Sequence, residues 1–143
     1  MNKKAAVFEK FLQERNITCF KVEEMPKDEL NAVVFRSQIE VEGQNLPTIL
    51  IVDDSIYCML RVLVASKALR ENSENKLLHD INELNKKYKV FKYYVGEDGA
   101  LYLDCCVLCE DGKISGELIY VVLDVVIKHL NEEYKNIMKT IWQ

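Results

Sequence analysis

The sequence predicts an α+β fold in which helices pack on one antiparallel sheet. In several segments apolar and polar residues alternate with a period of two, as they do in half-buried strands. These segments cluster and are joined by short turns, which is typical of antiparallel pairing. Helical periodicity appears near both ends of the chain and once between the strands. We therefore expect the order α-β-β-β-α-β-β-α in a single domain over residues 1–143.

The first half of the chain is expected to contain one helix followed by the larger group of strands. The helix covers residues 3–15, with Phe8, Phe11 and Leu12 on one face and Lys4 away from it. Turn residues such as Gly43 separate the segments that follow. Strands are expected over residues 18–24 (a possible short strand), 32–42, 46–52 and 56–64.

The second half is expected to contain a helix, a hairpin and a long closing helix. Ser73 is a suitable N-cap for the second helix, whose apolar face carries Leu77, Ile81 and Leu84. The hairpin turn falls at residues 96–99, where glycine is the first and the last residue. The remaining elements are strands over 90–95 and 100–109, a turn at 111–112, and a helix over 115–141.

Charge and composition disfavour several classes of partner. Nineteen basic against 23 acidic residues give a net charge of −4 without a basic cluster, whereas nucleic-acid binders present a basic patch. No apolar run reaches the ~18 residues of a membrane span, and the pattern of a signal peptide is missing. Five cysteines without the spacing of a disulfide framework indicate free thiols in a reducing compartment. We expect a cytoplasmic protein.

Two adjacent acids at a strand end form the pattern that most suggests chemistry. The segment TILIVDDS at 48–55 resembles the opening strand of response-regulator receiver domains, where such acids bind magnesium beside a phosphorylated aspartate. Asp53 and Asp54 would be these acids, and Asp104 the phosphorylated residue. However, 52 residues precede the pair, and residues 105–143 are too few for the strands and helices still required. We favour a polar turn and keep the receiver-like domain as the alternative.

The cysteines and histidines are expected to be structural, and no metal or cofactor site is predicted. Because side chains alternate along a strand, Cys105 and Cys109 should face the core while Cys106 faces out, so the Cys-x-x-Cys thiols cannot meet. His79 is expected in solvent, opposite the apolar face of its helix. His129 extends an apolar stripe of the last helix and is expected at its margin.

The second half of the chain resembles the YbjN-like family of bacterial proteins, whose fold is similar to that of type III secretion chaperones. The resemblance rests on INELNKKY at 81–88, FKYYV at 91–95, the turn at 98–99, LYLD at 101–104 and DGKIS at 111–115, before a helix ending near residue 134. It implies the element order given above and no catalytic residues. It also implies a non-catalytic protein-binding or regulatory module, because chaperones of the related fold hold segments of other proteins as dimers.

The closing helix provides the predicted interface. A stripe of Leu118, Val122 and Val125 ends at His129, while a second stripe continues to the end of the helix. A helix of ~25 residues is roughly 37 Å long and should extend past strands of about 20–27 Å. The second stripe would then contact a client protein or a second copy, unless the first helix covers it within the subunit. Its residues are Ile119, Leu123, Val126, Leu130, Tyr134, Ile137 and Ile141.

Overall fold

The computed structural model describes residues 1–110 and 112–143, and it confirms the α+β class. Within these residues a fourth strand precedes the second helix, because the possible strand at 18–24 forms as a short edge strand. The predicted turn residue Asp111 lies outside the described residues. The helices are α1 (Lys3–Glu14), α2 (Glu74–Lys87) and α3 (Gly116–Ile141). The strands are β1 (Lys21–Glu24), β2 (Val33–Val41), β3 (Gln44–Val52), β4 (Tyr57–Ala65), β5 (Lys92–Val95) and β6 (Leu101–Leu108).

The six strands form one sheet in the order β1-β2-β3-β4-β6-β5, and all neighbours are antiparallel. The turn between β2 and β3 is tighter than predicted, because Val41 already pairs with Gln44. Its two residues, Glu42 and Gly43, have φ of 49° and 76°. Positive φ at both positions is the turn geometry that matches the twist of a hairpin.

The core lies between the three helices and one face of the sheet. Alternate strand residues point into it, as the alternation predicts, and Phe35, Leu50, Val62 and Leu103 are almost fully buried. Phe8 of α1 meets the ring of Phe35 edge-on, with the centroids 4.9 Å apart. The opposite face of the sheet carries mostly half-buried and exposed side chains, although Val34 on that face is only 6% exposed.

Helix α1 is anchored to the sheet by polar side chains as well as by its aromatic face. Asn2 caps the helix and donates a hydrogen bond to the carbonyl of Val52 at 2.9 Å. Lys4, expected away from the apolar face, is only 3% exposed. Its ammonium group donates to the carbonyl oxygens of Ser55 and Tyr57 at 2.6 and 2.8 Å. The lysine therefore provides hydrogen-bond donors for two backbone carbonyls where the chain turns from β3 into β4.

Helix α2 covers the far end of α3. The hydroxyl of Ser73 donates to the carbonyl of Ile141 at 2.9 Å, and Thr140 donates to the carboxylate of Asp80 at 2.9 Å. The sequence left open whether α1 or a partner covers this part of α3, and it did not indicate α2. Among the described residues no helix is both long and apolar enough to span a membrane.

The two edges of the sheet differ. Along an edge strand, the backbone groups of successive residues point alternately toward the neighbouring strand and away from the sheet. Just after β5, the N–H of Gly96 bonds inward, so the N–H and C=O of Tyr93, three residues earlier, point outward. The side-chain amide of Asn85 in α2 closes this position, accepting from the Tyr93 N–H at 2.8 Å and donating to its carbonyl at 3.0 Å. In β1 the same pattern leaves the backbone groups of Val22 and Glu24 facing outward without a protein partner among the described residues.

Candidate protein-binding surface

An apolar row crosses the uncovered face of the sheet. Val34, Ile51, Met59 and Cys106 are cross-strand neighbours on β2, β3, β4 and β6. Ile51 and Met59 are half-buried, and Cys106 is exposed. Cross-strand neighbours stand within contact distance on one face, so the row is continuous over four strands. We call it the apolar row.

The apolar row widens at the end of β4 and β6. Tyr57 pairs with Leu108 beside it, and their exposed fractions are 48% and 67%. Large apolar side chains gathered in this way mark interaction sites more often than isolated ones do. The open sheet face, defined as the apolar row with Tyr57 and Leu108, is therefore the candidate surface.

Arg61 beside the apolar row is paired within the chain. Arg61 donates two hydrogen bonds of 3.0 Å to the carboxylate of Asp104, and the hydrogen bond raises the pKa of the guanidinium group. The same guanidinium lies 5.6 and 5.7 Å from the ring centroids of Tyr94 and Tyr102, which stack on each other. A partner that covers Arg61 would not need to supply a negative charge, because Asp104 already does so.

The stripe predicted as an interface on α3 faces the subunit's own core. The physical reason is that α2 and the sheet together enclose this side of the helix, so the apolar overhang is covered internally. Leu118 and Val125, predicted to face the sheet, are 47% and 41% exposed instead. Of the predicted interface residues, Ile119, Val126, Leu130, Ile137 and Ile141 are buried, and Leu123 and Tyr134 are partly buried.

The three acids of the receiver-like alternative are each engaged by a neighbour. Asp53 accepts from the backbone N–H of Ser55 at 3.0 Å, as in a polar turn, and Asp54 accepts from Asn31 at 2.7 Å. Asp104 is held by Arg61. In the described part of the chain, no three Asp, Glu, His or Cys side chains are arranged to hold a metal ion.

His129 lies inside the core rather than at its margin. It is 4% exposed, and its Nε2 shares a hydrogen bond of 2.7 Å with the hydroxyl of Tyr93. The rings of Phe91 and Tyr88 are 4.3 and 4.5 Å from the imidazole, between centroids. Nδ1 has no hydrogen-bond partner among the described residues. His79 is exposed, as predicted.

The side chains of the cysteines on β6 and directly after it point as the alternation predicts, with Cys105 and Cys109 buried and Cys106 exposed. No pattern in the sequence indicates a contact between Cys109 and Cys58, whose sulfur atoms are 3.1 Å apart. These residues are 51 positions apart and come together only because β4 and β6 are neighbours.

Comparison with known proteins identifies the family. A family model, YbjN, described as "putative bacterial sensory transduction regulator", matches residues 4–137. The chain belongs to the YbjN family. A search of curated proteins gives no match.

The YbjN chain also resembles a solved structure. A chain of the ExsC–ExsE complex superposes with a TM-score of 0.59 and 13% sequence identity, over 94% of this chain and 96% of that one. ExsC is a type III secretion chaperone. At this identity the likeness shows the fold alone, and it confirms the chaperone-like arrangement expected from the sequence.

Proposed function

We propose that this YbjN protein is a non-catalytic, regulatory protein-binding module of the bacterial cytoplasm, and that its partner docks on the open sheet face. The observation that carries the proposal is the continuous apolar row, in which Ile51, Met59 and Cys106 remain accessible to solvent on the face opposite the three helices. The structural neighbour was solved as a complex of two proteins, which supports a binding role. The five free thiols support a reducing compartment.

The chemistry of the surface defines the partner that fits it. Arg61 is paired with Asp104, and Arg36 with Glu23 at 2.9 Å, so the two arginines beside the apolar row already have partners. The partner therefore presents a run of apolar side chains and gains little from added charge. A second copy of this chain meets that condition as well as a client segment does.

The test combines a substitution on the surface with a matched control. Leu108→Glu places a charge on the open sheet face at a position that is 67% exposed, so the fold is retained. Leu78→Glu does the same on α2, where the side chain is 47% exposed. Tagged wild type and both variants would be used for capture from the native cell and for light scattering of the purified chain.

We expect Leu108→Glu to lose the partner, or the self-association, that wild type and Leu78→Glu retain. Circular dichroism and the thermal midpoint should be the same for the three proteins. Equal binding by Leu108→Glu and wild type would rule out the open sheet face as the docking surface.

A further inference from the structure

Two buried thiols touch at the end of the sheet nearest the start of α3. The Sγ atoms of Cys58 and Cys109 are 3.1 Å apart, and no other pair of cysteine sulfurs in the described residues makes such a contact. Cys58 is the second residue of β4 and is fully buried, and Cys109 directly follows β6 and is 6% exposed. The N–H of Cys109 bonds to the carbonyl of Ile56, which fixes the backbone beside the pair.

We propose that Cys58 and Cys109 are a site of reversible disulfide formation. A disulfide requires sulfur atoms about 2.05 Å apart, so closure needs the two to approach by only about 1 Å. The antiparallel pairing of β4 with β6 already holds the two residues on neighbouring strand ends, beside each other. The Cys-x-x-Cys pair has no comparable geometry, because Cys106 faces the other side of the sheet.

The oxidant that fits is a small, neutral peroxide. Cys109 lines a surface cavity of about 350 Å³ together with Lys113, Ile114 and Leu118, so a small molecule in this cavity would lie beside Cys109. Burial raises the pKa of Cys58 to about 12, so this thiol is protonated at neutral pH. The pair should therefore react slowly, under sustained oxidant, rather than turn over as a catalyst does.

The reaction balances with one peroxide per pair. The Cys109 sulfur, having released its proton to water, attacks one oxygen of hydrogen peroxide. The O–O bond breaks, the leaving hydroxide takes up a proton to become water, and a sulfenic acid remains on Cys109. The Cys58 sulfur then attacks the Cys109 sulfur, the S–O bond breaks, and the hydroxyl leaves as water with the Cys58 proton. Two thiols are oxidised, one peroxide is reduced, and two waters are formed.

The disulfide has a consequence for the open sheet face. Tyr57 and Leu108 immediately precede the two cysteines and pair across the strands on the opposite side of the sheet. Linking Cys58 to Cys109 would fix this pair at the wide end of the docking surface. This consequence rests on the proposed function, whereas formation of the disulfide does not.

The experiment uses the full chain with its exposed thiols, Cys19 and Cys106, first blocked by iodoacetamide in the native state. The protein is then treated with hydrogen peroxide, digested without reduction and analysed by mass spectrometry. We expect a peptide linking Cys58 to Cys109 in wild type and in the control Cys106→Ala. It should be absent in Cys58→Ala. Oxidation should raise the thermal midpoint of wild type by roughly 5–10 °C, reversibly with dithiothreitol.

Complete alkylation of Cys58 and Cys109 on unfolding after peroxide treatment would overturn the proposal, as would a linkage to Cys105 instead. Should Cys58→Ala fail to fold, the wild-type peptide map alone decides. Binding by the oxidised and reduced chain tests the consequence separately. Equal binding by both forms would contradict an effect of the disulfide on the open sheet face, but it would not contradict formation of the disulfide itself.

Discussion

Mild acid is predicted to destabilise the fold through His129. Its imidazole is enclosed by Tyr88, Phe91 and Tyr93, and burial lowers its pKa, against the opposite influence of Glu133 and Glu132 on the same helix. The nearby ammonium of Lys87 lowers the pKa further. The folded state therefore holds the neutral ring, and protonation would create a buried charge for which the described residues offer no acceptor at Nδ1.

The direction and size of the effect follow from proton linkage. In the unfolded chain the histidine pKa is about 6.5. Between that value and the lower pKa of the folded state, the unfolded chain binds a proton that the folded chain does not. The stability is therefore complete above about pH 6.5 and falls as the pH decreases through this window. The limiting slope is about 1.4 kcal/mol in the free energy of unfolding per pH unit for one proton.

Urea unfolding between pH 5 and 7.5 would measure the slope in wild type, His129→Gln and His79→Gln. Glutamine at position 129 can still bond to the hydroxyl of Tyr93, and the exposed His79 is the matched control. We expect the slope to decrease only in His129→Gln, since the carboxylates contribute equally to all three proteins. An unchanged slope in His129→Gln would refute the reasoning, and so would a normal titration of His129 followed by NMR.

Three further outcomes are expected. Leu130→Ala, at a fully buried position of α3, should lower the free energy of unfolding by about 2–5 kcal/mol in chemical denaturation, and a cost below 1 kcal/mol would contradict the core position. Asn85→Leu removes both hydrogen bonds to the Tyr93 backbone, so it should cost about 1–3 kcal/mol and accelerate hydrogen exchange of the Tyr93 amide; unchanged exchange would argue against the edge cap. Iodoacetamide should label Cys106 in the native state and Cys105 only after unfolding, and mass spectrometry would show any early labelling of Cys105.

Much of the sheet could be predicted because a strand has a fixed period of two. Once the segment containing Leu103 was assigned to a strand, the alternation determined that Cys105 points into the core and Cys106 away from it. The hairpin turns were signalled by glycine, although the tighter turn at Gly43 depends on the positive φ of Glu42 as well.

The sequence was less informative about helix faces and about pairs of distant residues. Helix α3 carries two apolar stripes, and nothing local indicates that Val126 faces the core while Val125 faces solvent. Lys4 is buried because two carbonyls of a distant turn accept its hydrogen bonds. The contact between Cys58 and Cys109 likewise depends on strand order, which the spacing of residues does not specify.

The unequal edges of the sheet set a limit on how chains of this protein can polymerise. At β5 the carboxamide of Asn85 takes the place of a neighbouring strand by bonding to the backbone of Tyr93. Among the described residues of β5, this leaves only Val95 with outward-facing backbone groups that are not hydrogen-bonded. Any chain that joins by strand addition must do so at β1, where Val22 and Glu24 face outward. Two chains meeting there would use the open edge of each. Growth by strand addition at β1 would stop at a pair, as expected for a sheet whose other edge is largely covered.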